Sequence, residues 1–154
     1  MRLTSRPIAV AAAVLVQAAL AAWAVQPQLS ARLTGAEYRL AVAPVDPIDP
    51  FRGAYVQLDY PDLPAEAPGS GRFHVPLVRD GSLWKGTAPV RTRPESPHLT
   101  CESRGGFLDC GLDSFFVSED RARALEQDVA AGRLAAVIRV DDQGRAALVD
   151  LEHR

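Results

Sequence analysis

The pattern of apolar and polar positions changes period along this chain. From Pro7 to Val25 there is no charged residue, and only Gln17 interrupts the apolar run. Apolar residues occur all round any helix drawn through it, so it has no polar face. After Gly35 the period becomes two, the signature of strands with one face buried. Glu37 to Ala43 places Tyr38, Leu40 and Val42 on one face, and Gly53 to Tyr60 places Val56, Leu58 and Tyr60 together. Phe73–Val78 and Leu83–Arg93 flank Asp80-Gly81, a strong hairpin signal. With those two residues as the turn, Arg79 pairs with Ser82, Val78 with Leu83 and Leu77 with Trp84. Pro76 and Pro89 cannot donate to a ladder and belong at an edge, a bulge or a strand end. Leu99–Arg104 and Phe107–Asp113 flank Gly105-Gly106, a second hairpin. Leu134–Val140 and Arg145–Leu151 flank Asp141-Asp-Gln-Gly144, a third.

One further helix is expected in the C-terminal half. Ser118 suits an N-cap, Glu119 and Asp120 suit the positive end of the helix dipole, and Ala122, Leu125 and Val129 repeat at helical spacing. Gly132 can end it in left-handed geometry. The fold class expected is mainly β: a small antiparallel barrel or sandwich over 36–154 with one helix in its C-terminal half, preceded by an N-terminal transmembrane helix. Residues 26–35 form a polar link that can continue the first helix, and 61–71, rich in Pro, Gly and Ala, form an exposed loop.

The N-terminal segment bears on where the protein resides. Arg2 and Arg6 give residues 1–6 a cationic head, and 7–25 is close to the ~20 apolar residues that cross a bilayer. Positive charge before the span places the head in the cytoplasm and the remainder outside it. Two readings remain open: an uncleaved single-pass anchor in the cytoplasmic membrane, or a signal peptide cut after Ala24, where Ala22-Trp23-Ala24 fits the small-x-small rule. Export follows from either.

Between the first two strands lies a turn built from prolines. Pro47 and Pro50 push Asp46 and Asp49 towards extended geometry, and Arg52-Gly53 releases the chain into the next strand. Gly53, Tyr55, Leu58 and Tyr60 resemble the motif of a bacterial, membrane-anchored family named for its Gly-Asp-Tyr-x-x-Leu-x-Tyr sequence, a family without an established biochemical activity. Phe115-Phe-Val-Ser-Glu119 is similar to that family's later Phe-Val-Pro-Glu-Gly segment, so the resemblance runs from about residue 30 to about 150. The motif's Asp is Ala54 here. That departure favours a structural or binding role for the motif over a chemical one.

In an exported domain the two cysteines take on meaning. Counting outward from a Gly105-Gly106 turn pairs Arg104 with Phe107, Ser103 with Leu108, Glu102 with Asp109, and Cys101 with Cys110. The last is a non-hydrogen-bonded pair, where side chains approach closest, which predicts a cross-strand disulfide. Glu102 opposite Asp109 is a like-charge pair and counts against the register.

Candidate chemistry is sparse. A formal net charge of −2 gives no basic footprint for nucleic acid. There is no nucleophile elbow, phosphate loop, His-Glu-x-x-His or cysteine cluster. His74, His98 and His153 are far apart and read as surface or strand histidines. Asp46, Asp49, Asp59 and Asp62 could offer oxygen ligands, but their spacing matches no calcium loop. No metal or cofactor is expected. The residues favoured for a ligand or partner surface are Asp46, Asp49, Arg52, Gly53, Tyr55 and Tyr60. The reading that follows is a membrane-anchored, exported accessory module that docks on another envelope protein, an integral membrane protein among the candidates. The alternative is an envelope hydrolase with its polar site at 46–60.

Overall fold

A computed structural model describes residues 5–44, 55–116, 128 and 131–154. The first helix, α1, runs over Ser5–Thr34. It is longer than the apolar run and takes in the stretch expected as a polar link. It is also bent: Ala9–Ala24 and Gln28–Thr34 are inclined at 53°. Pro27 lies in the break, and it has no N–H for the carbonyl four residues earlier. No single helix among the described residues is long and apolar enough to cross a membrane, although the two bent segments together meet that test.

The domain is mainly β. Its larger sheet contains β1 (Ala36–Ala41), β4 (Gly71–Asp80), β5 (Leu83–Gly86), β6 (His98–Arg104), β7 (Phe107–Asp109), β9 (Leu134–Val140) and β10 (Ala146–His153), in the order β10-β9-β1-β5-β4-β6-β7. All pairings are antiparallel except β1 with β5, which meet in parallel at Leu40 and Trp84. A smaller sheet orders β2 (Ala43–Pro44), β3 (Tyr55–Asp59) and β8 (Ser114–Phe116) as β2-β3-β8.

The large sheet curls into a half-barrel. Its β9–β10 turn returns to β6, where Thr100 N–H donates to Gly144 O at 2.7 Å and Thr100 Oγ1 to Gln143 O at 2.8 Å. The core lies inside the curl and gathers Leu40, Val42, Leu58, Val75, Leu99, Ile138 and Leu148, with Tyr38 and Trp84 packed edge to face at its side. The alternation read from the sequence therefore points the right way at Leu40 and Val42, with Tyr38 beside them, and at Leu58 and Tyr60.

Two glycine turns explain why one hairpin register was predictable and another was not. Gly105 and Gly106 both have positive φ, 63° and 94°, as a two-residue I′ turn needs. The pairs Arg104–Phe107, Ser103–Leu108 and Glu102–Asp109 are as expected. Beyond them the Cys101 and Cys110 sulfurs are bonded at 2.02 Å, their Cα atoms 4.2 Å apart. The like-charge pair is tolerated because Arg72 of β4 lies across from Glu102 on its other side.

The other register is corrected by two positions. Arg79 pairs with Trp84 and Asp80 with Leu83, so the turn residues are Gly81 and Ser82. Only Gly81 has positive φ, 63°, the pattern of a type II′ turn with Gly first. Asp80 escapes the left-handed geometry that an Asp-Gly turn would have demanded of it. The strand expected over Leu83–Arg93 also stops at Gly86, where a Cβ would stand 2.7 Å from a Val75 methyl and 2.9 Å from Leu63 and Pro64.

The third hairpin forms as read: Gly144 has φ 75°, and its N–H donates to Asp141 O at 3.0 Å. The body of the expected Ser118–Gly132 helix lies outside the described residues. Its end is visible, since Gly132 has φ 65° and Arg133 N–H donates to Asp128 O at 3.0 Å, a left-handed helix stop.

Losing the disulfide is expected to cost about 2–3 kcal/mol, because the loop it closes in the unfolded chain is short. Urea denaturation of the Cys101→Ser/Cys110→Ser variant against the oxidised protein measures it. Coincident midpoints would show that the bridge does not restrain this fold.

Candidate functional site

The strand that carries the motif lines a cleft. Leu58 is buried, and its N–H donates to Asp113 O at 2.9 Å. Two positions on, the Tyr60 hydroxyl donates to Leu112 O at 2.8 Å. Burial pushes the Tyr60 hydroxyl pKa upward, and the Asp113 carboxylate adds to that, so the group stays protonated and fixed. These bonds bring the 110–113 segment against β3. Opposite stands β7, whose outer edge is covered by the loop: Leu108 N–H donates to Ala65 O and Ala67 N–H to Gly106 O, each at 2.9 Å.

Between them opens a cavity of about 530 Å³, walled by Leu58, Tyr60, Leu63, Pro64, Leu108 and Leu112. Phe107 stands on its rim, 71% exposed. Its charged lining is of one sign: Asp59, Asp109 and Asp113 are exposed there, and no Lys or Arg lines it. The lining has no serine, histidine or free thiol, and Cys110 is spent in the disulfide. The arrangement can hold an apolar group and attract a cation.

The residues singled out from sequence divide around this cleft. Tyr60 is part of its wall. Tyr55 starts β3, in register with Phe116. Asp46, Asp49, Arg52 and Gly53 lie outside the described residues. Asp59 is on the rim, while Asp62 contributes its carbonyl to Gly86 N–H at 2.8 Å. Among the described residues, no group of three or more His, Cys, Asp or Glu could hold a metal ion.

The histidines are less scattered than their numbers suggest. His74 and His98 pack edge to face, with ring centroids 5.1 Å apart. His98 Nδ1 bonds Ser96 O at 2.9 Å, which leaves its buried Nε2 without a partner against Gly144. His74 Nδ1 meets Thr100 Oγ1 at 3.1 Å. Desolvation, then His98, Arg72 and Arg93, lower the His74 pKa. His153 stands 3.6 Å from Asp128. A cleft of about 630 Å³ beside His98 is larger than the motif cleft. On its wall, Arg93 donates to Gln143 Oε1 at 3.1 Å and to the Asp142 carbonyl. It serves to pin the turn.

A family model described as GDYXXLXY protein matches residues 17–151. The chain belongs to the GDYXXLXY family. The match begins within α1 and ends in β10, so it takes in both sheets and the cleft. No curated protein and no solved structure matches the chain. Within the GDYXXLXY motif, two of the positions present here, Leu58 and Tyr60, are the ones that build the cleft.

Sequence reasoning missed its other wall. The sequence pattern marks Phe107 and Leu108 only as hairpin strand. The available signal was an aromatic directly after a Gly-Gly turn, at a position whose side chain the hairpin alone leaves in solvent.

The sequence also gave no sign of how α1 meets the sheet. Ala31 is fully buried, and Ala135 and Val137 fill the face of β9 turned towards α1, where Arg139 donates to Arg32 O at 2.6 Å. Asp141, its side chain fully buried, accepts from Ser30 Oγ at 2.9 Å, Gln143 N at 2.9 Å, Arg145 N at 3.0 Å and Arg145 Nε at 2.7 Å. Gly35 links helix to strand with no space for a side chain: a Cβ would lie 2.3 Å from Ala31 O and 2.8 Å from Val140 N.

Proposed function

We propose that this GDYXXLXY protein is a membrane-anchored, exported binding module of the bacterial envelope, an accessory domain held beside an integral membrane protein. The observation that carries this reading is the pairing of an uncovered apolar helix with a fixed joint. Val10, Leu15, Leu20 and Trp23 are all more than half exposed along the first part of α1, and a bilayer is the solvent that suits such a helix. The helix then runs into β1 through Gly35 alone, clamped by Ser30, Asp141 and Arg145. A flexible tether would let a domain range over many substrates. A clamped one fixes the Gln28–Thr34 end of the helix to the domain and keeps the domain close to it, which suits work on a neighbour. The disulfide agrees with an oxidising compartment.

The test is fractionation of the full-length chain in a bacterial host. The protein is expected in the membrane pellet, resistant to alkaline carbonate, released by detergent, and digested by protease added to spheroplasts. Leu15→Glu combined with Val16→Glu should shift it out of the carbonate-resistant fraction. Wild-type protein in the carbonate supernatant would end the anchoring reading, and protection from protease in intact spheroplasts would end the export reading. Intact-mass measurement separates an anchor from cleavage after Ala24.

A further inference from the structure

Resting on that reading, we infer that the motif cleft is a docking site for an extended cationic-apolar segment of a neighbouring membrane protein: one large apolar side chain seated against Leu58 and Tyr60, flanked by Lys or Arg. Three features of the cleft converge on this occupant. Its floor is apolar and its mouth carries Phe107, 71% exposed, an aromatic left in water unless something covers it. Its charged rim is wholly acidic, Asp59, Asp109 and Asp113, with no cation of the domain's own lining it. An anionic or neutral partner gains nothing from that rim; a cationic one is steered to it.

The site's position supplies the third feature. Asp109 and Cys110 form a wall shared with a groove that carries Arg72, Arg104 and Arg145 beside Glu102 and reaches Gln28 of α1, three residues beyond the end of the apolar run at Val25. The acidic side chains are thus at the cleft itself, and the cations are on its helix side. The cleft therefore opens near the point where the helix would leave a bilayer, within reach of a neighbour's membrane-proximal loop. Strand addition to β7 is not the mode, because Ala65 and Ala67 already occupy its outer edge. Side-chain insertion is.

The probe is a blocked heptapeptide with central Phe and two Lys on each side of it, labelled and titrated by fluorescence anisotropy against the full-length protein in mild detergent. Companion peptides replace the Lys residues by Glu, or the Phe by Ser. The Lys–Phe peptide is expected to bind, and to weaken with added salt as exposed charges are screened. Asp59→Asn/Asp113→Asn should weaken it about tenfold, about threefold per exposed carboxylate. Phe107→Ser should weaken it too, while circular dichroism shows every variant folded. Equal binding of the Glu-flanked peptide, or no effect of the three substitutions, would overturn the assignment.

In-cell photocrosslinking keeps this failure apart from that of the accessory reading. A crosslinker at Phe107 should capture a membrane protein, and Asp59→Asn/Asp113→Asn should abolish the capture. Capture only from Val78 or Val90, exposed elsewhere on the domain, would sink the cleft and leave the accessory role standing.

Discussion

Replacing Asp141 by alanine is expected to destabilise the fold by about 3–4 kcal/mol. The carboxylate has no exposure of its own, yet four hydrogen bonds end on it, from Ser30, Gln143 and Arg145. Alanine would leave two backbone N–H groups and a serine hydroxyl facing a void, and would strand the Arg145 guanidinium. It would also release the last turns of α1 from the sheet, because Ser30 is held by Asp141 and Arg145 together. Asn is the informative companion. It keeps the shape but turns an amide donor towards Arg145 and Ser30, and is expected to cost about 2 kcal/mol.

The pH dependence follows from the same contacts. Burial alone would raise the Asp141 pKa, but the bonds from Ser30, Arg145 and Gln143 outweigh it and hold the carboxyl below its ordinary value. A carboxyl depressed in the folded state stabilises above its unfolded pKa of about 3.9 and loses that contribution as pH falls through the folded value. The gap between wild type and Asp141→Asn, measured by urea denaturation, should therefore be constant near neutrality and close in acid. His74 acts earlier. Its folded pKa is lowered, so the unfolded chain binds its proton first, and stability should begin to fall below about pH 6.5. His74→Gln should remove that first step and leave the Asp141 step in place. A gap that stays open through strong acid would rule out the Asp141 contacts as its source.

Local chemistry was legible in this chain, and closure was not. Gly105-Gly106 and Gly144 could be placed because only glycine takes their φ cheaply, and the cysteine pairing followed by counting. Asp80-Gly81 misled because an Asp-Gly turn and a Gly-Ser turn share the same glycine, and the choice between them lies in how β5 meets β1 and Gly86 meets Leu63. The bonds that curl the sheet and seat the helix join residues far apart in sequence: Thr100 with Gln143, Ser30 with Asp141. No period or turn signal encodes such a pair. The cleft shows the same division. Leu58 and Tyr60 announce one wall through alternation, while Phe107 reaches the other only by the order β4-β6-β7.

Leu58→Ala is expected to cost about 3 kcal/mol, the range for truncating a buried leucine in a packed core. Leu58 is 3% exposed and sits both in the main core and in the cleft floor, so its loss should lower the urea midpoint and weaken peptide capture together. Phe107→Ser supplies the contrast. Its ring is in solvent, and surface substitutions of that kind usually stay within about 0.5 kcal/mol. If the motif only completes the core, both variants should track stability, and Phe107→Ser should do nothing. If the motif builds a docking floor, Phe107→Ser should lose binding at unchanged stability, while Leu58→Ala should bind worse than its remaining folded fraction accounts for. Tyr60→Phe falls between them. It frees the Leu112 carbonyl at a cost of about 1 kcal/mol but keeps the ring against the cleft, so it should lower stability and spare binding. That three-way pattern separates a side chain needed for the fold from one needed for recognition, in a motif where the two share a strand.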